Sequence, residues 1–137
     1  ANCDQYLEYD SSHFFYQNIV KQHDASIITF KEQEGSNKWS FVRLDKHGLV
    51  DQIKEKQVIS NLASTGHYYF DKGSDFVKYA EQMIADNVRV NNEFYVSGVY
   101  DFMLKDNKKV SNYTVDSFAG LGTPTDLVAF LKQDHKL

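Results

Sequence analysis

The sequence predicts an α/β domain whose mixed, mostly parallel sheet is flanked by helices and includes a β-hairpin. Three observations predict it. Short β-branched runs such as Ala25-Ser26-Ile27-Ile28-Thr29-Phe30 alternate along the chain with longer stretches of helical spacing. Lys38 to Leu44 and Leu49 to Lys56 flank the turn Asp45-Lys46-His47-Gly48, which is a hairpin pattern. The 137 residues contain one Pro and no repeat, linker or low-complexity stretch, so a single domain over residues 1–137 is expected.

Each element has its own signal. Ser11 to Gln22 reads as a helix with Phe15, Ile19 and Gln22 near one face, Tyr16 and Val20 beside them, and Asp10, Ser11 or Ser12 as its cap. Ala25 to Phe30 is a buried strand. In the hairpin, Trp39 and Phe41 lie on one side of the first strand, Val42 and Leu44 on the other. His67-Tyr68-Tyr69-Phe70 forms a further short strand. Ser74 is expected to cap a helix on which Phe76, Tyr79, Ala80, Met83 and Ile84 recur at helical spacing. Glu93 to Lys105 is apolar on most sides, as a largely buried helix would be, and Lys109 to Val115 reads as a strand. Thr123-Pro124-Thr125-Asp126 opens a last helix, with Thr123 as cap, Pro124 at the first helical position and Asp126 reaching back.

Composition narrows the function. Hydrophobic residues at 42% and charged residues at 25% are ordinary for a globular chain, whereas aromatics at 15% supply unusual amounts of core and pocket-wall material. The net charge is −4 and Lys and Arg are dispersed, so the basic stripe a nucleic-acid partner requires is missing. No apolar run has the length of a membrane span, and no signal-peptide pattern opens the chain. The single cysteine, Cys3, excludes an internal disulfide framework and is expected as a small buried hydrophobe; a cytoplasmic location is the default. The five histidines (13, 23, 47, 67, 135) lack zinc-ligand spacing. His67, beside Gly66, reads either as pocket-facing or as an ordinary sheet histidine. The opening Ala1-Asn2-Cys3-Asp4-Gln5 has no initiator Met and reads like a strand end cut from something longer, although native termini share that look.

Two segments go beyond a generic α/β domain. One runs from Trp39-Ser40-Phe41-Val42-Arg43-Leu44-Asp45 through Gly48 to Glu55-Lys56; the other is Ser60-Asn61-Leu62-Ala63-Ser64-Thr65-Gly66-His67-Tyr68-Tyr69-Phe70. Together they resemble the sugar-1-phosphate nucleotidyltransferases, the glucose-1-phosphate thymidylyltransferases among them, in which an aromatic-glycine strand is followed by E-K-P and then by S-N-x-A-x-T-G-x-Y-x-F. Asn2-Cys3-Asp4-Gln5, Asn92-Glu93-Phe94-Tyr95-Val96 and Gly122-Thr123-Pro124-Thr125-Asp126-Leu127 follow the family's chain order. The second of these is similar to members associated with capsular and surface-polysaccharide synthesis. No one motif is specific; the five in order are. Three departures stand out: Gln57 in place of Pro, Gly120 where many members carry a metal-binding Asp, and no amino-terminal G-G-x-G-T-R loop with its lysine.

The resemblance implies a partial nucleotide-diphospho-sugar transferase fold lacking its first strands. It would be the carboxyl-terminal, sugar-phosphate-binding half of an enzyme that joins a sugar 1-phosphate to a nucleoside triphosphate, inactive alone and prone to homo-oligomerise. Asp4 would be the Mg²⁺ ligand, or else a plain turn residue. Lys56 would neutralise the sugar phosphate and Glu55 would accept sugar hydroxyls; Lys54-Glu55-Lys56 is otherwise a solvated charge run. Neighbouring strand residues face opposite ways, so both reach one ligand only where the strand ends or bends. Gly66 would admit the sugar close to the backbone or be an ordinary bulge glycine. Thr65 and Tyr68 would add a hydroxyl and a wall, Asn61 and Ser40 would be further sugar contacts, and Glu93 would touch sugar or metal, or merely start a helix. The alternative function is a non-catalytic sugar-phosphate-binding or assembly module, favoured by Gly120.

Overall fold

The computed structural model describes residues 1–132; His135, among the histidines weighed above, lies outside them. The elements in chain order are β1 (Gln5–Glu8), α1 (Ser11–Val20), β2 (Ala25–Lys31), β3 (Ser40–Leu44), β4 (Val50–Glu55), β5 (Leu62–Phe70), α2 (Gly73–Ala85), α3 (Val96–Lys105), β6 (Val110–Thr114), β7 (Ser117–Gly120) and α4 (Pro124–Leu131). Five strands form one sheet in the order β4-β3-β5-β2-β6, and β1 pairs with β7 in a separate two-stranded sheet.

The α/β class and the hairpin match expectation, but the sheet is not mostly parallel. Only β2 and β6 run parallel; β2–β5, β3–β4 and β3–β5 are antiparallel. Parallel neighbours need a long crossover, usually helical. No helix separates β2, β3, β4 and β5, whereas α2 and α3 lie between β5 and β6.

One face of the large sheet is covered by α2 and α3. Ile27, Val42, Ile53, Tyr79, Tyr100 and Met103 meet there in the main core. The opposite face carries a smaller aromatic core around Phe14, Ile28 and Val115, flanked by Tyr9, Tyr69, Tyr113 and Phe118. Phe118 of β7 stacks on Phe30 of β2 with ring centres 4.0 Å apart, and Trp39 meets both rings edge-on, so the small sheet is tied to the large one by aromatic contact.

Several local expectations are corrected. In α1 the buried positions are Phe14 and Asn18; Phe15, Tyr16, Ile19 and Val20 are exposed. The Phe14 ring is caged edge-on by Tyr9, Tyr69 and Tyr113. Asn18 receives Ser111 Oγ at 2.7 Å and contacts His23 Nδ1 at 3.1 Å, so a buried amide outcompetes Ile19 for the inner face. Helix α2 begins at Gly73 after Lys72, with no side-chain cap, rather than being capped by Ser74. Helix α3 starts at Val96, because Asn91 and Asn92 both take left-handed backbone angles and fold residues 90–93 into a turn. Strand β5 begins five residues before His67, taking Leu62 to Gly66 into the sheet. Asp4 precedes β1 instead of ending a strand, and Cys3 is exposed.

Other signals read true. Asp10 caps α1 by accepting the His13 amide, and Thr123 caps α4 by accepting the Asp126 amide. In the hairpin turn Asp45 Oδ1 accepts the amides of His47 and Leu49, and Gly48 has φ +79°. Among the described residues no helix is long and apolar enough to cross a membrane.

Candidate functional site

A cleft of about 460 Å³ opens where β3 begins and β4 ends. These two points are adjacent because Ser40 pairs with Glu55 in the hairpin register. Six of the residues singled out from the sequence line it: Ser40, Glu55, Lys56, Thr65, Gly66 and Tyr68.

Glu55 and Lys56 both reach the cleft because the strand ends between them. Lys56 has φ +55°, a left-handed turn that redirects its side chain, and its amide is held by the Trp39 carbonyl at 2.9 Å. The Glu55 carboxylate accepts hydrogen bonds from Ser40 Oγ and, at 2.8 Å, from Ser97 Oγ. The Lys56 ammonium donates to the Tyr95 hydroxyl at 2.9 Å, which in turn donates to Glu93 Oε2 at 2.5 Å. Lys56 Nζ also lies 5.0 Å from the centre of the Tyr95 ring, further than from the hydroxyl, so the hydrogen bond rather than the ring face holds it. This contact pushes the Lys56 amine upward from its ordinary pKa, with partial desolvation opposing and the charges of Glu55 and Glu93 adding. The lysine is a cation throughout the physiological range.

Gly66 stands at a break in register: Ile28 pairs with His67 but Thr29 pairs with Ser64, so β5 bulges there. Its φ of +78° suits glycine, and a Cβ would fall 2.3 Å from Asn2 Nδ2. Gly66 is thus a bulge glycine that also lines the cleft. The group pressed closest to it is the Asn2 side chain, and the Asn2 backbone N–H donates to the Gly66 carbonyl at 3.3 Å. Gln5 Nε2 is buried nearby with no hydrogen-bond partner among the described residues. Thr65 turns inward and donates to the Ile28 carbonyl at 3.0 Å. Burial pushes the Tyr68 phenol up, the hydroxyls of Ser64 and Ser40 pull it back, and the Glu55 charge adds to the rise. His67 pairs with Ile28 and is absent from the cleft wall.

Three candidates lie outside the cleft wall. Asn61 is exposed and its carbonyl accepts the Glu32 amide. Glu93 reaches the cleft only through Tyr95. Asp4 is exposed, its carbonyl accepts the Leu121 amide at 2.7 Å, and its carboxylate lies against Gly122, where a Cβ would stand 2.8 Å from Oδ2. Gly120 sits opposite Gln5 on β7 and offers no second carboxylate. Among the described residues no three His, Cys, Asp or Glu side chains cluster to hold a metal. Mg²⁺ commonly takes one or two carboxylates and fills its shell with phosphates and water. Asp4 is an exposed carboxylate of the kind such an ion takes, standing outside the cleft wall with no second carboxylate beside it among the described residues.

The sequence reading assigned no role to Asn2, Lys38, Ser64, Tyr95 or Ser97. Tyr95 was visible inside the Asn92-to-Val96 motif, and its polar tip was the available signal. Ser97 had none, because its contact to Glu55 spans 42 residues.

No family model matches this chain, and no curated protein matches its sequence. Solved structures do match its shape. A nucleoside-diphosphate-sugar pyrophosphorylase of Vibrio cholerae superposes with TM-score 0.77 at 22% identity, over 95% of this chain and 53% of its own. A structure assigned as a glucose-1-phosphate thymidylyltransferase of Bacillus anthracis, solved with sucrose, gives 0.73 at 16% identity, over 98% of this chain and 53% of its own. The UTP-bound UGPase of Acinetobacter baumannii gives 0.71 at 17% identity, over 94% and 47%. The chain spans about half the length of these structures, and over that span it has the fold of the sugar nucleotidyltransferases.

Proposed function

We propose that this chain forms the sugar-phosphate-binding part of a sugar-1-phosphate nucleotidyltransferase. The observation that carries the reading is the meeting of Ser40, Glu55, Lys56, Thr65, Gly66 and Tyr68, drawn from three strands, around one cleft. A carboxylate beside an ammonium suits a ligand that is polyhydroxylic at one end and anionic at the other. Lys56 faces the phosphate, Glu55 accepts sugar hydroxyls, and Tyr68 with Thr65 walls the ring.

In the reaction a phosphate oxygen of the sugar 1-phosphate attacks the α-phosphorus of a nucleoside triphosphate. The bond from that phosphorus to the β-phosphate oxygen breaks, and pyrophosphate leaves with the electron pair. The substrate supplies the nucleophile, so the protein's part is positioning and charge neutralisation. Lys56 offsets negative charge on the attacking phosphate. Magnesium, when bound, would offset charge on the phosphates, with Asp4 giving it one oxygen. A role in polysaccharide synthesis belongs to the same proposal. A second reading, a sugar-phosphate-binding module without transferase activity, draws support from Gly120, which leaves Asp4 without a neighbouring acid.

Calorimetric titration with hexose 1-phosphates tests the shared core of both readings. Binding is expected, and Lys56→Ala should weaken it about tenfold or more by removing a charge-assisted contact. Affinity that Lys56→Ala leaves unchanged overturns the site. Release of pyrophosphate is expected to be undetectable for this chain alone with Mg²⁺, a hexose 1-phosphate and a nucleoside triphosphate; brisk release would overturn the assignment of a partial role.

A further inference from the structure

Residues 93–97, which lead into and open α3, touch both Glu55 and Lys56. Tyr95 takes the Lys56 ammonium on its hydroxyl at 2.9 Å and passes its own proton toward Glu93 at 2.5 Å. A phenol that donates to a carboxylate is polarised, which makes its oxygen a better acceptor for an ammonium. Two residues on, Ser97 is 2% exposed and donates to Glu55 Oε2 at 2.8 Å, on the same oxygen that Ser40 reaches. Ser97 does not line the sugar-phosphate cleft; it lines a smaller cavity of about 190 Å³ on the other side of Glu55. Glu55 and Tyr95 line both, and so form the partition between the two spaces.

We infer that Tyr95 and Ser97 are positioning residues with separate duties, Tyr95 setting Lys56 for a phosphate group and Ser97 setting Glu55 for sugar hydroxyls. The inference rests on the sugar-phosphate reading and deepens it, since it divides recognition between two limbs that one short segment controls. An unheld Lys56 at the end of a flexible stem loses rotamer freedom on every binding event, and an unheld Glu55 rotates its carboxylate away from a fixed geometry. Holding each group in advance lowers those costs. The two limbs share no hydrogen bond, so each can be removed alone.

The test crosses two variants with two probes on the intact chain. Inorganic phosphate engages only the Lys56 limb; a hexose 1-phosphate engages both. Tyr95→Phe is expected to weaken both ligands, by about five- to tenfold, the size of one ordinary hydrogen bond, because the residue acts through Lys56. Ser97→Ala is expected to weaken hexose 1-phosphate by a similar factor and leave inorganic phosphate unchanged. Equal losses for both ligands in both variants would mean general loosening of the segment and overturn the division, as would no loss in either. A ligand-free measurement separates this inference from the reading beneath it. Acylation of the Lys56 amine, followed by peptide mass analysis, should quicken severalfold in Tyr95→Phe because the amine is released from its acceptor. If the wild-type chain binds neither probe, the sugar-phosphate reading falls; if acylation of Lys56 is the same in wild type and Tyr95→Phe, the Tyr95 clamp falls whatever binds.

Discussion

Lys56 and Gly66 owe their places in the cleft to backbone angles that few residues adopt. Lys56 follows the last residue of β4 with φ +55°, which costs a lysine some conformational energy and is offset by its amide bond to Trp39 and its side-chain bond to Tyr95. Gly66 bears a similar angle at no such cost. Substitution there meets two penalties, the left-handed angle and the overlap with the Asn2 amide. Gly66→Ala is therefore expected to lower unfolding free energy by about 1–3 kcal/mol and to weaken hexose 1-phosphate binding. Gly35 is the control: its φ is +72° but nothing lies within 4 Å of a Cβ, so only the conformational penalty applies. Urea unfolding of both variants measures the difference, and an equal loss in the two would show that crowding by Asn2 contributes nothing. The glycine and the Glu55-Lys56 pair were legible in the sequence because motif spacing marked them. Asn2 was not, since its contact with Gly66 joins residues far apart in the chain.

Helix α1 shows how a correctly placed element can still present an unexpected face. Its cap and extent follow from Asp10 and from the apolar run Phe14 to Val20. Apolar residues at 14, 15, 16, 19 and 20 ring most of the helix, so spacing alone does not choose among faces. The choice falls to Phe14, which packs among three tyrosines, and to Asn18, whose amide nitrogen donates to the Phe14 carbonyl while its oxygen accepts from Ser111. Phe14 is 3% exposed and Ile19 64% exposed. Phe14→Ala is expected to cost about 3–5 kcal/mol by opening a cavity in the smaller core. Ile19→Ala is expected to change stability by only about 0.5 kcal/mol, as exposed positions do. Chemical denaturation of the pair decides it, and comparable losses would mean that Ile19 is buried in solution.

At the scale of the molecule, the sheet joins the two cores, and two histidines are buried or partly buried beside it. His23 lies behind α1 with Nδ1 against Asn18, and His67 sits in β5. Burial is the main cause holding each imidazole below its ordinary pKa; Lys21 and Lys109 reinforce it at His23, while the Thr65 backbone opposes it at His67. The unfolded chain then takes up these protons first. Their contribution to stability is full above about pH 6.5 and is lost as pH falls through the lower folded values. Urea midpoints should drop between about pH 7.5 and 5.5, and His23→Gln should make the drop shallower. A midpoint that rises on acidification, or a slope untouched by His23→Gln, would contradict this account. The direction of the strands belongs to the same scale. Alternating strands and helices suggested parallel pairing, yet the helix-free run from β2 to β5 permits short antiparallel connections and the molecule uses them.

By itself the sequence determined the approximate places of the four helices and of β2, β3, β4 and β6, the Asp45-to-Gly48 turn, the Asp10 and Thr123 caps, and the chain order of the motifs whose residues line the cleft. Those features depend on residues within a few positions of one another, where backbone preference and side-chain-to-backbone hydrogen bonds act. Only the tertiary structure decided the antiparallel sheet, the inner face of α1, the contact of Asn2 with Gly66, and the grip of Tyr95 and Ser97 on Lys56 and Glu55. The reason is distance along the chain. Each of these depends on docking one element against another, through contacts that no local periodicity records.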